Sequence, residues 1–400
     1  VKDHAIRRII RDRTRGGMAR RKIRIAVLFG GRSGEHEVSL RSALTVISAM
    51  DPQRYEIVPI GIAHDGRWLL QSDAVTLLEA ATPTLQPLGR GGIAVSLAPH
   101  PDGGALMPAV NQAPEDSSAA LARPLDVVFP ILHGTYGEDG TVQGLLELTG
   151  IPYVGAGVLG SALGMDKDAQ KRILRDGGLP VVNYFALSAA GHADHPRRAL
   201  TLAGELGYPV FVKPNALGSS IGISKVKRRT ELTAALANAF QYDRKVLIEA
   251  ACQGREFECS VLGNERPECS VPGEVIVRGG HEFYSYDSKY VDPEGSETRV
   301  PAELPRAVSK RLRDLSAAAF KLLSLRGMAR VDFLARADLS EIFINEVNTI
   351  PGFTSISMYP KLWEASGLPL PRLIDRLVDL ALEHHRAQAR LRYTYQPKAT

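Results

Sequence analysis

The chain of 400 residues contains no Gly-Lys dipeptide, so it has no G-x-x-x-x-G-K-[ST] phosphate loop. No apolar run reaches the roughly 18 residues of a transmembrane helix candidate. Cysteine is scarce: Cys252, Cys259 and Cys269 are the three present. Their spacing fits no zinc pattern, and an odd count argues against a disulfide framework. A reducing, cytoplasmic setting is expected. An excess of one charge sign is also missing from the body of the chain. The net charge of +5 comes from residues 1–24, which hold ten Lys/Arg against two Asp and leave 39 basic and 42 acidic residues elsewhere. A near-neutral body predicts no nucleic-acid surface and no membrane partner. The apolar stretch in "KIRIAVLF" is short and reads as a first strand, not as the core of a signal peptide.

The composition is that of a chain with real cores, 44% hydrophobic, and its length predicts two or three domains. "KIRIAVLF", "EIVPIGI" and "DVVFPIL" read as strands, and "GGRSGEHEVSLRSALTVISAM" as a glycine turn opening a helix. This alternation predicts a covered parallel sheet. Residues 80–124 are rich in Ala, Pro and Gly and read as a surface loop around a hairpin. Residues 157–248 predict a small α+β unit. Two helical segments lead to the strand "YPVFVKP", the turn "NALGSS", a strand "IGISKV", a helix and "KVLIEA". From 249 onward come strands, a loop rich in tyrosine and charge at 281–300, a long helix at 305–326 and a second hairpin.

That last hairpin carries the chemistry. "MARVDFLA" (328–335) and "EIFINEVN" (341–348) are joined by "RADLS". A turn centred near 338–339 sets Asp332 opposite Glu346 and Arg330 opposite Asn348. Period-two alternation puts these four on one face and Val331 and Phe333 on the other. Two facing carboxylates repel unless a positive charge lies between them. Hard cations such as Mg²⁺ take oxygen ligands of this kind, usually alongside substrate phosphates. The bland alternative is an ion-pair ladder among Arg330, Asp332 and Glu346. A phosphate cradle is available in "VKPNALGSSIG" (212–222), where Lys213 ends a strand and a Gly-Ser-Ser turn offers backbone N–H groups. Alone, it is also an ordinary hairpin turn. "GAGVLG" (155–160) matches G-x-G-x-x-G, but it follows only the short run "IPYV" and reads as tight chain packing.

Seven segments in order, "FGGRSGEHEVSL", "HGTYGEDGTVQG", "GMDKDAQKRIL", "VKPNALGSSIGISKV", "YSYDSKYVDPEG", "ARVDF" and "NEVNTIPGFTSISMYPKLW", resemble D-alanine–D-alanine ligases of the ATP-grasp superfamily over about residues 22–385. The resemblance implies an α/β fold, α+β in parts: a three-domain ATP-grasp ligase with an N-terminal parallel-sheet domain. The implied division is a basic, disordered tail at 1–21, an N-terminal α/β domain at 22–156, a small central subdomain at 157–248, a C-terminal catalytic domain at 249–386 and a tail at 387–400. The implied activity is ATP-dependent joining of two D-alanines through an acyl phosphate, for peptidoglycan precursors, in the cytoplasm. The implied cofactor is Mg²⁺, two ions that Mn²⁺ replaces, with ATP as co-substrate and a homodimer as the assembly.

Residue by residue, the resemblance makes Asp332, Glu346 and Asn348 the metal ligands. Lys167, Lys213 and the turn serines Ser219 and Ser220 would hold ATP phosphates, with Glu249 and Glu256 near adenine and ribose. Arg330 and the N–H of Gly352 would form the oxyanion pair. Glu35 would bind the first D-alanine's ammonium, His133 would lie beside that substrate, and Ser357 would contact the second carboxylate. Lys289 and Tyr290 fall in a closing loop at 281–300, Lys289 reaching the phosphate or the second carboxylate and Tyr290 reaching Ser219 and Glu35. Three rival readings are kept: a D-Ala–D-Lac or D-Ala–D-Ser ligase, an oxidoreductase using "GAGVLG", and a nucleotide-binding module without activity.

Overall fold

A computed structural model describes residues 21–71, 78, 92–98, 105–109, 121, 123–278, 280, 292 and 294–395. The first unit begins with β1 (Ile23–Gly30), α1 (His36–Ala49), β2 (Tyr55–Ile62), β3 (Trp68–Leu70), β4 (Ile93–Ala98), β5 (Ala105–Pro108) and β6 (Val127–Ile131). Its sheet has the order β5-β4-β3-β2-β1-β6. Strand β1 lies parallel to both β2 and β6. It is buried on both faces, which explains its unbroken apolar run after Arg24. Ile25, Val27 and Phe29 join one core and Ala26 and Leu28 another. The expected parallel sheet is therefore only partly parallel. Strands β3, β4 and β5 run antiparallel to their neighbours. The β2–β3 link is too short for a crossover, so that strand must fold straight back. The hairpin expected within 80–124 is β4–β5.

The middle of the chain carries α2 (Thr141–Thr149), α3 (Val158–Met165), α4 (Lys167–Asp176), β7 (Tyr184–Ser188), α5 (Ala189–Asp194), α6 (Pro196–Leu206), β8 (Val210–Pro214), β9 (Ser224–Val226), α7 (Leu232–Ala239) and β10 (Lys245–Ala250). Four of its strands form an antiparallel sheet, β7-β10-β8-β9. Strand β7 has no counterpart in the sequence reading, and "IGISKV" forms a strand only over Ser224–Val226. The missing turns are spent on the bend after β8, where Ser219, Ser220 and Gly222 all have positive φ. Such values exclude an extended strand.

The third unit comprises β11 (Gly254–Gly263), β12 (Glu268–Cys269), β13 (Gly273–Val277), β14 (Ser296–Arg299), α8 (Arg306–Leu322), β15 (Gly327–Arg336), β16 (Ile342–Asn348), α9 (Met358–Ala365) and α10 (Leu370–Gln388). Its sheet runs β14-β13-β11-β15-β16, with β12 on β11. The core face packs Phe257, Cys259, Val261, Val331, Phe333 and Ile344 against Leu312 and Phe320 of α8. Alternation leaves Arg330 and Asp332 on the other face. Helix α10 returns to the first unit, where Leu373, Ile374 and Leu377 share a core with β1 and α1.

"GAGVLG" is a packing element. Gly155 has φ +99°, and a Cβ on the facing Gly327 would lie 3.0 Å from its Cα. A Cβ on Gly160 would fall 2.8 Å from Leu325. The glycines let two chain segments touch, and no nucleotide is needed to explain them.

Candidate active site

The predicted hairpin register holds where it matters. Arg330 pairs with Asn348 and Asp332 with Glu346; a bulge between Asp332 and Phe333 then shifts the pairing so that Phe333 meets Ile344. Arg330 donates to both Asp332 oxygens at 2.7 Å, and Asn348 Nδ2 donates to Asp332 Oδ2 at 2.9 Å. Arg330 also lies 2.8 Å from buried Glu258 on β11. The ladder of the bland reading therefore exists for Arg330 and Asp332. It is compatible with a cation seat, because the same face gathers two carboxylates and an amide at adjacent strand positions, all hard oxygen donors. Among the described residues no group of three or more His, Cys, Asp or Glu forms a metal cluster. A cation seat on this face would need Asn348 as its third donor.

Strand β16 is the edge of its sheet, and α4 covers it. Four of the five buried residues of α4 are polar: Lys167, Asp168, Gln170 and Lys171, with Leu174. Lys167, Gln170 and Lys171 fall at i, i+3 and i+4, on one face. Lys167 Nζ donates to Leu217 O at 2.7 Å and lies 3.5 Å from Glu346. Gln170 Oε1 accepts from Val347 N at 3.1 Å, and its Nε2 donates to Val347 O at 3.3 Å. The amide thus substitutes for a neighbouring strand on an otherwise open edge. Lys171 Nζ donates to Asn345 O at 2.9 Å.

Beside this face lies a buried cation–anion cluster. Glu249, at the end of β10, is 1% exposed. Lys213 Nζ is 2.7 Å from Glu249 Oε2, and Lys171 Nζ is 3.2 Å from Oε1. Burial opposes the charge on Glu249, but Lys171 and Lys213 outweigh it and hold the carboxyl at about 2. Burial, and then Lys213, push the Lys171 amine below its ordinary value. For Lys213 burial acts the same way, but Glu249 overrides it and the net direction is up. Lys213 Nζ also donates to Asn345 Oδ1 at 3.2 Å. Glu256 stands on β11, close enough to raise Lys213 electrostatically. Lys171 and Gln170 were not singled out from the sequence. The signal for them was a polar helix with Lys and Gln at i, i+3 and i+4.

A second seam joins the first unit to the turn after β8. Glu35 precedes α1, and Ser219 Oγ donates to its Oε1. Gly134 and Gly218 wall the same carboxylate: a Cβ on either would come within 2.7 or 2.5 Å of Glu35 Oε2. Ser219 and Ser220 have φ of 50° and 58°, uncommon values for non-glycine residues.

His133 follows β6 and is buried, with Nδ1 3.0 Å from Ile350 O and Nε2 3.1 Å from Ser42 Oγ. Both ring nitrogens are engaged by protein, so it braces the segment after β16. Burial pushes its pKa down while Glu35 opposes. Glu138, also missed from the sequence, accepts from Gly134 N at 2.8 Å and from Ile350 N at 2.9 Å. Burial, reinforced by Glu35, raises its pKa. Gly352 packs so close to Ser357 that a Cβ would lie 2.8 Å from its Oγ, and Thr354 N donates to that Oγ at 3.0 Å. Lys289 and Tyr290, and most of the expected closing loop at 281–300, lie outside the described residues.

The structure therefore brings Lys167, Lys213, Glu249, Arg330, Asp332, Glu346 and Asn348 into one neighbourhood, linked through Lys167 to the turn that bears Ser219. Glu35, Ser219 and His133 form the adjoining wall. The sequence matches the family models "D-ala D-ala ligase N-terminus" over residues 24–156 and "D-ala D-ala ligase C-terminus" over 173–379. It is 48% identical over 365 residues to D-alanine–D-alanine ligase A of Chromobacterium violaceum, covering 91% of this chain and 96% of that one. It is 45% identical over 371 residues to the D-alanine–D-alanine ligase of Shouchella clausii, covering 93% and 98%. Among solved structures, the D-alanine–D-alanine ligase from Coxiella burnetii superposes with a TM-score of 0.77 at 38% identity, covering 92% of this chain and 96% of that one. The VanG D-Ala:D-Ser ligase from Enterococcus faecalis also gives 0.77, at 34% identity, covering 90% and 100%. With both family models matched and relatives of 45–48% identity covering most of the chain, the chain belongs to the D-alanine–D-alanine ligase family of ATP-grasp enzymes.

Proposed function

We propose that the chain joins two D-alanines at the expense of ATP, supplying the dipeptide for peptidoglycan precursors. The observation that carries this reading is the pairing of Asp332 with Glu346 on the strand edge that Lys167 and Lys171 cover. The γ-phosphoryl group passes from ATP to the carboxylate of the first D-alanine, giving an acyl phosphate and ADP. The amine of the second D-alanine attacks the carbonyl carbon, loses a proton, and phosphate leaves. Asp332, Glu346 and Asn348 would hold Mg²⁺, which when bound neutralises phosphate charge.

Each remaining role falls to this chain's own groups. Lys167 and Lys213 bind phosphate oxygens, with Ser219 and Ser220 presenting the turn's backbone to them. Glu256 and the strand end at Glu249 border the nucleoside. Glu35 takes the first ammonium, and His133 holds the wall behind it. Arg330, fixed by Glu258 and Asp332, and the N–H of Gly352 stabilise the oxyanion. Ser357 is assigned to the second carboxylate, and Lys289 and Tyr290 to the closing loop. The three sheets correspond in this reading to the three domains, with boundaries near 156 and 248. A cytoplasmic homodimer supplied by the cell's ATP completes it.

The test is phosphate release from ATP with D-alanine, L-alanine or no amino acid. Release that depends on D-alanine is expected; equal release in all three removes the assignment. A second reading, a D-Ala–D-Ser ligase, is favoured by the likeness to VanG. Product analysis with D-alanine, D-serine and D-lactate together separates them: D-alanyl-D-alanine is expected to predominate.

A further inference from the structure

The cluster around Glu249 contains one more cation than its anion requires. Lys213 makes the shorter contact with Glu249, 2.7 Å, and Lys171 the longer, 3.2 Å. Glu346 and Glu256 add negative potential at Lys213. Lys171 is 1% exposed and reaches no solvent, so it has no phosphate of its own to meet. Its ammonium is fixed between Glu249 and Asn345 O, and Lys213 leans on the side chain of the same Asn345.

A lysine that moves away to grip a phosphate leaves its carboxylate partner. A buried carboxylate abandoned in this way would be strongly unfavourable. We propose that Lys171 is a positioning residue that remains with Glu249 as its standing counter-ion, so that Lys213 is free to transfer to nucleotide phosphate. This rests on the assignment of Lys213 to phosphate in the reading above. It adds a function for a lysine that touches no ligand. A compact ammonium suits the task, because it can move from 3.2 Å into direct hydrogen-bonding contact without repacking the helix.

The experiment compares ADP with adenosine as calorimetric probes. K171M is expected to weaken ADP about tenfold and to leave adenosine within about twofold, because only the phosphates compete for Lys213. Equal weakening of both, or of neither, overturns the proposal; a merely structural role would move both together. The double variant K171M/E249Q removes the abandoned charge, so its preference for ADP over adenosine should return toward that of the wild type. Persistence of the K171M preference in the double variant counts against the idea. K213M serves as the control for the underlying reading. If it leaves ADP affinity unchanged, the phosphate role of Lys213 has failed, independently of Lys171. Should K171M not fold, a crystal structure of the wild type with ADP gives the answer. Lys213 Nζ should have left Glu249 while Lys171 stays in contact. A retained Lys213–Glu249 pair would refute the mechanism.

Discussion

The hairpin end at Asp332 and Glu346 and the cluster at Lys171, Glu249 and Lys213 are built from almost the same side chains, and differ in how far water reaches them. Side-chain exposure is 14% at Asp332, 16% at Arg330 and 28% at Glu346. It is 1% at Lys171, 2% at Glu249 and 10% at Lys213. Charges that retain solvent can exchange partners at modest cost. Sealed ones must keep a partner, because losing it leaves an uncompensated buried charge. The first region is therefore suited to receive ligands and the second to hold its shape while one member is withdrawn. Lys213, the most exposed of the buried three, stands on the border between the two behaviours.

The largest expected effect lies on the open side. R330M should lower kcat about 10²–10³-fold, the typical loss for one oxyanion donor, and should also lower Tm, because buried Glu258 loses this cation. Steady-state phosphate release with D-alanine measures it. If kcat holds, the hairpin face is a structural ladder after all. The next probe cuts between the regions. Q170A strips Val347 of both side-chain partners at the strand edge and should cost about 1–3 kcal/mol of stability. Denaturant titration reads this, and an unchanged midpoint would mean that α4 does not secure β16.

S219A removes the hydroxyl donor to Glu35 and should raise KM for D-alanine roughly tenfold, with kcat less affected, as expected for a charge-assisted bond. An effect on KM for ATP alone would move Ser219 away from the amino-acid side. The smallest effect concerns acid. Glu249 titrates at about 2 when folded, against roughly 4.3 for a free glutamate. Its folded pKa is depressed, so its contribution is fully present above the unfolded value and is lost as pH falls through the folded one. Between about pH 4 and pH 2 the Tm of the wild type should fall more steeply than that of E249Q. Parallel slopes would show that the two lysines do not stabilise the carboxylate.

The sequence made the open region readable and left the sealed one obscure. Pairing in the last hairpin followed from a turn position and alternation, up to the bulge after Asp332. A bulge inserts one residue and leaves no compositional trace at this site. The motifs also singled out Glu35, Ser219 and Lys213, which lie just before α1, in the turn after β8 and within β8. Helix α4 failed the usual inference, because polar residues in a helix are expected to face water. Here the buried face is Lys167, Asp168, Gln170 and Lys171, and its partner is the hydrogen-bonding edge of a strand 177 positions on from Gln170. Periodicity detects apolar stripes and is blind to a stripe that mates with backbone. Strand β7 was missed for a related reason: it sits at the edge of its sheet, and four of its five residues are only partly buried or exposed.

The packing around Glu35 has a consequence of its own. Gly134 belongs to one chain segment and Gly218 to another, and each lines a different side of the same carboxylate. Neither segment encloses it alone. A contact assembled in this manner is lost when its halves separate. On the proposed assignment of Glu35 to the first ammonium, a bound amino acid would select the seated arrangement from all those the connecting chain permits.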